Sequence, residues 1–233
     1  MTKLPSLRDL LEAGVHFGHK TSRWNPQMEE HLYTSKSGVH VINLEKTSEM
    51  LAIAAKFLAE ASGSGKTILF VGTKKQAQEI VKKEAAACGM PYVTERWLGG
   101  LITNFSTVRR ASEKLKKAQE RKTSDEYELL STRDKVKLDK EIEKRETLVG
   151  GLVDMVKKPD VVILIGAQDE KNALEECKYS KIPTLALVDS NTDPRAIDYP
   201  IPANDDATKS IELFVKLFSK IIVENKKKVA INK

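Results

Sequence analysis

The sequence predicts an α/β domain built on a mostly parallel sheet with helices on both faces, interrupted by an antiparallel coiled-coil hairpin of charged helices. Three observations carry that prediction. Short apolar runs at Ile68–Val71, Val161–Ile165 and Thr184–Val188 are bounded by turn-forming residues, the pattern of strands buried on both faces. Segments with apolar residues every three or four positions alternate with these runs, as parallel crossovers require. From Phe105 to Val149 the chain holds neither proline nor glycine and is dense in Lys, Arg, Glu and Asp.

The elements follow in order. Ser6 opens a short helix with Leu7, Leu10 and Leu11 on one face, and Gly14 closes it. Residues 14–38, with Gly18 and Pro26, read as an irregular N-terminal arm. Val39–Ile42 predicts a first strand, and Glu45 or Thr47 opens a helix whose Met50, Leu51, Ala54, Phe57, Leu58 and Ala61 form one stripe. Gly63 and Gly65 stop it. Strand Ile68–Val71, a tight turn at Gly72 and a helix over residues 74–88 come next, and Tyr92 and Val93 offer another short strand.

In the charged stretch Val108, Ala111, Leu115 and Ala118 step by three and four, as do Leu138, Ile142, Arg145, Val149, Leu152 and Val156, with residues 123–126 as the turn. Beyond it, strand Val161–Ile165, a helix over 170–179, strand Thr184–Val188 and a helix over 207–224 complete the alternation. Residues 1–104 with 157–225 therefore form the α/β domain, 105–156 the inserted hairpin, and 226–233 a basic tail.

Across 233 residues, 39 Lys and Arg exceed 33 Asp and Glu, which favours polyanionic partners without proving them. Cys88 and Cys177 stand far apart with no thiol beside either, so a reducing compartment and no disulfide framework are expected. No apolar run approaches the roughly 20 residues that span a bilayer, so no membrane partner is expected.

Several motifs invite chemistry. Gly63-Ser64-Gly65-Lys66-Thr67 resembles the tail of a phosphate-binding loop, but Glu60 stands where that loop needs a glycine, and the order runs from helix into strand. The Gly72-Thr73-Lys74-Lys75 turn has the right order, so Lys74 and Lys75 at a helix start are candidates for an RNA phosphate, with a merely solvated helix start as the alternative. His16 and His19 are close enough to share a metal but lack an evident third ligand. Lys20, Arg23, Trp24 and Lys36 combine cations with an aromatic plane, which suits RNA, although Trp24 reads equally well as a packing residue.

Arg96, Trp97 and Asn104 flank Gly99 and Gly100, which either approach a ligand closely or bend the chain into the hairpin. Arg109, Arg110, Lys114 and Lys117 belong to a first hairpin helix with seven cations against Glu113 and Glu120, the better RNA-facing arm. Asp189, Asp205 and Asp206 lie in loops after strands, where a structural Mg²⁺ or Zn²⁺ is one reading and helix capping the other. No catalytic constellation assembles from these residues, so neither an enzyme nor a small-molecule substrate is expected, and no cofactor is required. A nucleotide-dependent enzyme and a purely protein-binding coiled-coil adaptor are the competing classes.

Seven motifs in order carry a resemblance: Ala13-Gly14-Val15-His16-Phe17-Gly18-His19, Trp24-Asn25-Pro26, Ile42-Asn43-Leu44-Glu45-Lys46, Phe70-Val71-Gly72-Thr73-Lys74, Arg96-Trp97-Leu98-Gly99-Gly100, Val188-Asp189-Ser190-Asn191-Thr192-Asp193-Pro194 and Ile201-Pro202-Ala203-Asn204-Asp205-Asp206-Ala207. Together they closely resemble the bacterial and organellar small-subunit ribosomal protein family conventionally numbered two. The resemblance implies a flavodoxin- or Rossmann-like domain with a protruding coiled coil, docked on small-subunit rRNA between head and body. It also implies neighbouring small-subunit proteins as partners and recruitment of the large mRNA-binding ribosomal protein for translation initiation. A cytoplasmic setting is expected, bacterial rather than organellar because no transit peptide is evident, and no self-association is expected. Gly166 departs from the pattern, since many members carry an acidic residue there.

Overall fold

The computed structural model describes residues 2–231, with the side chains of all of these except 125, 126 and 227–231. After α1 (Leu7–Glu12) come three short strands, β1 (Phe17–Lys20), β2 (Leu32–Lys36) and β3 (Val39–Ile42), in an antiparallel sheet of order β1-β3-β2. The arm is thus not irregular: two strands lie in it, and β3 pairs with them rather than with the main sheet. β1 is exposed at both ends and half-buried between, and β2 is exposed after its first residue, so the apolar alternation that identifies a strand is missing.

Then follow α2 (Leu44–Gly63), β4 (Ile68–Val71), α3 (Lys75–Ala87) and β5 (Tyr92–Val93). Asn43 caps α2, its Oδ1 accepting the Glu45 and Lys46 N–H groups, so the helix begins ahead of both expected starts. The hairpin comprises α4 (Phe105–Lys122), a single turn α5 (Asp125–Glu128) and α6 (Thr132–Val149). Lys122 Nζ meets Asp139 Oδ1 at 2.8 Å near the tip and Arg109 Nη1 donates to Val156 O at 3.3 Å near the base, so the two long helices run antiparallel. Val108, Leu115, Ile142 and Val149 are buried along their seam, but α6 stops before Gly150 and Val156 is exposed.

The chain closes with β6 (Val161–Ile165), α7 (Lys171–Tyr179), β7 (Thr184–Val188), β8 (Tyr199–Pro202) and α8 (Thr208–Ile231). Helix α8 runs on through the residues expected to begin a basic tail; the side chains of 227–231, and residues 232–233, lie outside the described residues. The main sheet has order β5-β4-β6-β7-β8 with every pair parallel.

Period-two alternation sorts its residues onto two faces. Ile68, Phe70, Ile163, Ile165, Leu185 and Leu187 pack under α2, α3 and α8. Leu69, Val71, Val162, Leu164, Ala186 and Val188 pack against α7, residues 97–102 and the hairpin base. The hairpin is therefore rooted in the second face. Strand β8 was not expected, because Pro200 and Pro202 cannot donate to a ladder; it sits at the sheet edge, where those missing donors cost least.

Candidate functional site

A charged cluster occupies the carboxyl ends of β4, β6, β7 and β8, where open parallel sheets gather their ligands. Asp189 follows β7 directly, and Asp205 and Asp206 follow β8. Lys74, at the start of α3, reaches across: its Nζ lies 2.6 Å from Asp205 Oδ1, 2.7 Å from Asp206 Oδ1 and 3.3 Å from Asp169 Oδ2. Burial works against the Lys74 ammonium, but Asp205 and Asp206 outweigh it and hold its pKa above the ordinary lysine value. Lys74 is thus spent inside the protein and leaves the set of phosphate contacts. Gly166 makes room for it: φ is +93°, and a Cβ there would stand 2.8 Å from Lys74 Cε.

His19, on β1, completes the cluster from the arm. Its Nδ1 lies 3.0 Å from Asp189 Oδ2 and its Nε2 3.3 Å from Asp206 Oδ2. The hydrogen bond to Asp189 raises the His19 pKa, with burial opposing. The strand can come so near because Gly18 has no side chain: a Cβ would stand 2.9 Å from Ser190 Oγ, which accepts the His19 N–H. Asp205 is fully buried, and burial pushes its carboxyl up to about 7 even with Lys74 beside it. The three expected carboxylates do converge, and His19 joins them. His16 goes elsewhere, its ring tilted by 39° against Phe17 with centroids 4.0 Å apart. The turn that leads into the last helix is held by Asn204, whose Oδ1 accepts the Asp206 and Ala207 N–H groups.

In the turn that leads into α3, Glu170, 2% exposed, accepts the Thr73 N–H at 2.9 Å, while α3 itself has no side-chain cap. Trp97 is buried too, and the reason is Glu176. That carboxylate on α7 accepts from Trp97 Nε1 at 2.9 Å, the Gly100, Ile102 and Thr103 N–H groups at 2.7, 3.0 and 3.1 Å, and Thr103 Oγ1 at 3.1 Å. These donors outweigh burial and hold Glu176 below the usual carboxylate range. The paired glycines therefore wrap the chain around an internal anion, and Trp97 is no stacking platform. Asn104 precedes α4 and accepts from Ser106 Oγ and Thr107 Oγ1.

Among the expected RNA contacts Lys20, Arg23, Trp24, Lys36, Lys75, Arg96, Arg109, Arg110, Lys114 and Lys117 are exposed. Trp24 is tilted over His40, with centroids 5.2 Å apart. The last four cations share α4, whose Val108 and Leu115 face inward. The Lys74–Asp205 tie and the Glu176 loop escaped the sequence reading, since each joins residues more than 70 positions apart with no local signature.

A family model for ribosomal protein S2 matches residues 10–225. The chain belongs to the ribosomal protein S2 family. Among relatives, small ribosomal subunit protein uS2 of Coprothermobacter proteolyticus is 43% identical over 95% of this chain and 82% of its own length. The uS2 protein of Picosynechococcus sp. is 45% identical over 90% of this chain and 82% of its own. Protein uS2c of Cyanophora paradoxa is 42% identical over 94% of each. As a ribosomal protein S2, the chain is a structural component of the small ribosomal subunit in translation and not an enzyme. The turn after β4 agrees with that assignment: the Thr73 N–H, beside which a nucleotide phosphate would have to sit, faces the buried carboxylate of Glu170.

Proposed function

We propose that this ribosomal protein S2 binds small-subunit rRNA between head and body through two basic surfaces, the arm and the first hairpin helix. Lys20, Arg23, Lys36, Lys75, Arg96, Arg109, Arg110, Lys114 and Lys117 neutralise phosphates, and Trp24 stacks on a base or ribose. The observation that carries the reading is the division of α4, where exposed Arg109, Arg110, Lys114 and Lys117 back a buried stripe seated on the hairpin and sheet core. A helix so divided holds its cations on a fixed support while they face a polyanion.

In the same reading the bound protein, in a bacterial cytoplasm, helps hold the large mRNA-binding ribosomal protein on the subunit for initiation. Filter binding of the purified chain to small-subunit rRNA over a salt series tests the first part, with affinity expected to fall steeply. Equal binding at low and high salt overturns it. Sedimentation of subunits assembled with and without the chain tests the second, and unchanged retention of the large mRNA-binding protein refutes it.

A further inference from the structure

The second long helix of the hairpin sorts its charges by face. Over Thr132–Val149, α6 carries six cations against five anions, a balance that hides the arrangement from composition. Arg133, Lys137, Lys140 and Lys144 follow one another at steps of four, three and four, so at about 3.6 residues per turn they fall within roughly 60° of arc. All four are exposed. Leu138, Ile142 and Val149 form the seam toward α4, and the cation stripe lies on the side of the helix away from them.

The anions of α6 are engaged elsewhere. Asp134 accepts from Ser131 Oγ at 2.6 Å, Asp139 meets Lys122 Nζ at 2.8 Å and the Tyr127 hydroxyl at 3.0 Å, and Glu141 pairs with Arg145 at 2.9 Å. Asp139, Glu143 and Glu146 line the cleft between the hairpin and α3. None of the four stripe cations has an ion-pair partner among the described residues. Like charges on successive turns repel one another and weaken the helix. A polyanion laid along the stripe turns that repulsion into attraction, and in a ribosomal subunit the polyanion at hand is RNA.

We infer that α6 is a second RNA-contacting helix, resting on the same RNA reading as α4, and that its Arg133, Lys137, Lys140 and Lys144 engage backbone phosphates that α4 does not reach. Arg110, Lys114 and Lys117 likewise lie away from the α4 seam residues Val108 and Leu115. A helix with its side chains is about 10–12 Å across, so stripes that each face away from the other helix stand roughly 20 Å apart. Along α6 the stripe runs about 16 Å, enough for several phosphates in line. It holds no aromatic residue, so it grips backbone rather than bases.

The test tethers a hydroxyl-radical source at Lys140→Cys or at Lys114→Cys of the full-length chain in reconstituted small subunits, where buried Cys88 and Cys177 stay unlabelled. Both positions are expected to cut rRNA, at different nucleotides. Separately, Arg133→Gln, Lys137→Gln, Lys140→Gln and Lys144→Gln together, which keep helix-forming side chains, should flatten the salt slope of binding to subunits depleted of this protein by about 3–4, with helical circular dichroism unchanged. An unchanged slope in that folded variant overturns the inference. So does cutting of a neighbouring protein but no rRNA from position 140, or cutting of the same nucleotides from both positions. If position 140 cuts rRNA and position 114 does not, the α4 reading falls and the α6 contact stands.

Discussion

Replacing Glu176 by glutamine keeps the side chain's size and removes half of its acceptors. In one amide orientation the new NH₂ faces the Ile102 and Thr103 N–H groups; flipped, it faces Trp97 Nε1 and the Gly100 N–H. Either way two donors lose their partner and the remaining pair loses charge assistance. At about 1 kcal/mol for each stranded donor in this half-buried loop, and somewhat less for the weakened pair, the loss is about 2–3 kcal/mol. For a chain of this length that lowers Tm by roughly 4–12 °C. Calorimetry beside Glu175→Gln, an exposed neighbour expected to change stability by less than about 0.5 kcal/mol, isolates the effect. Acid provides a second check. The folded Glu176 carboxyl titrates below its ordinary 4.5, so its contribution is complete above that pH and is lost as pH falls through the lower folded value. Glu176→Gln should remove that part of the acid dependence. A Tm within 1 °C of wild type, roughly 0.5 kcal/mol or less, would show that the loop is held by packing alone.

Lys74→Met leaves Asp205 and Asp206 without their ammonium and should cost about 3–5 kcal/mol in urea unfolding, the usual result of breaking a buried pair from one side. Arg109, Arg110, Lys114 and Lys117 changed together to alanine should flatten the salt slope of rRNA binding by about 3–4, so that affinity changes roughly 100-fold less between 50 and 200 mM salt. A parallel line at lower affinity would place those cations off the RNA. Cys177 is fully buried, with its thiol pushed up to about 12, and Cys88 is buried with a raised thiol; neither should react with a thiol reagent at neutral pH until urea unfolds the chain.

How much of this was legible depended on whether the cause is local. Strands β4, β6 and β7 are apolar on both faces, so their runs stand out against polar helices, and the hairpin declares itself by its missing prolines and glycines. The strands of the arm, exposed for most of their length, carry no such contrast, and the prolines of β8 argue against a strand unless the edge position is known. The site divides in the same way. Asp189, Asp205 and Asp206 were findable because a loop after a parallel strand is a place for ligands. That His19 would join them rests on Gly18 meeting Ser190, and that Lys74 would turn inward rests on the space over Gly166; both are tertiary facts. Composition gives a lysine the same weight whether it faces RNA or a buried aspartate.

The two uses of charge should therefore separate by experiment. The crevice cations and anions pair with one another across β1, β4, β6, β7 and β8, so their loss acts on folding. The α4 cations stand on a helix whose buried residues belong to the opposite core, so their loss acts on RNA affinity. Among the described residues the two groups share no ion-pair partner, and they sit in different elements, which predicts additivity. Lys74→Met combined with the four hairpin substitutions should lower stability by the Lys74→Met amount and flatten the salt slope by the hairpin amount, each within about 0.5 kcal/mol of its single effect. Coupling beyond that would mean that Lys74, or the carboxylates it holds, reaches the RNA surface after all.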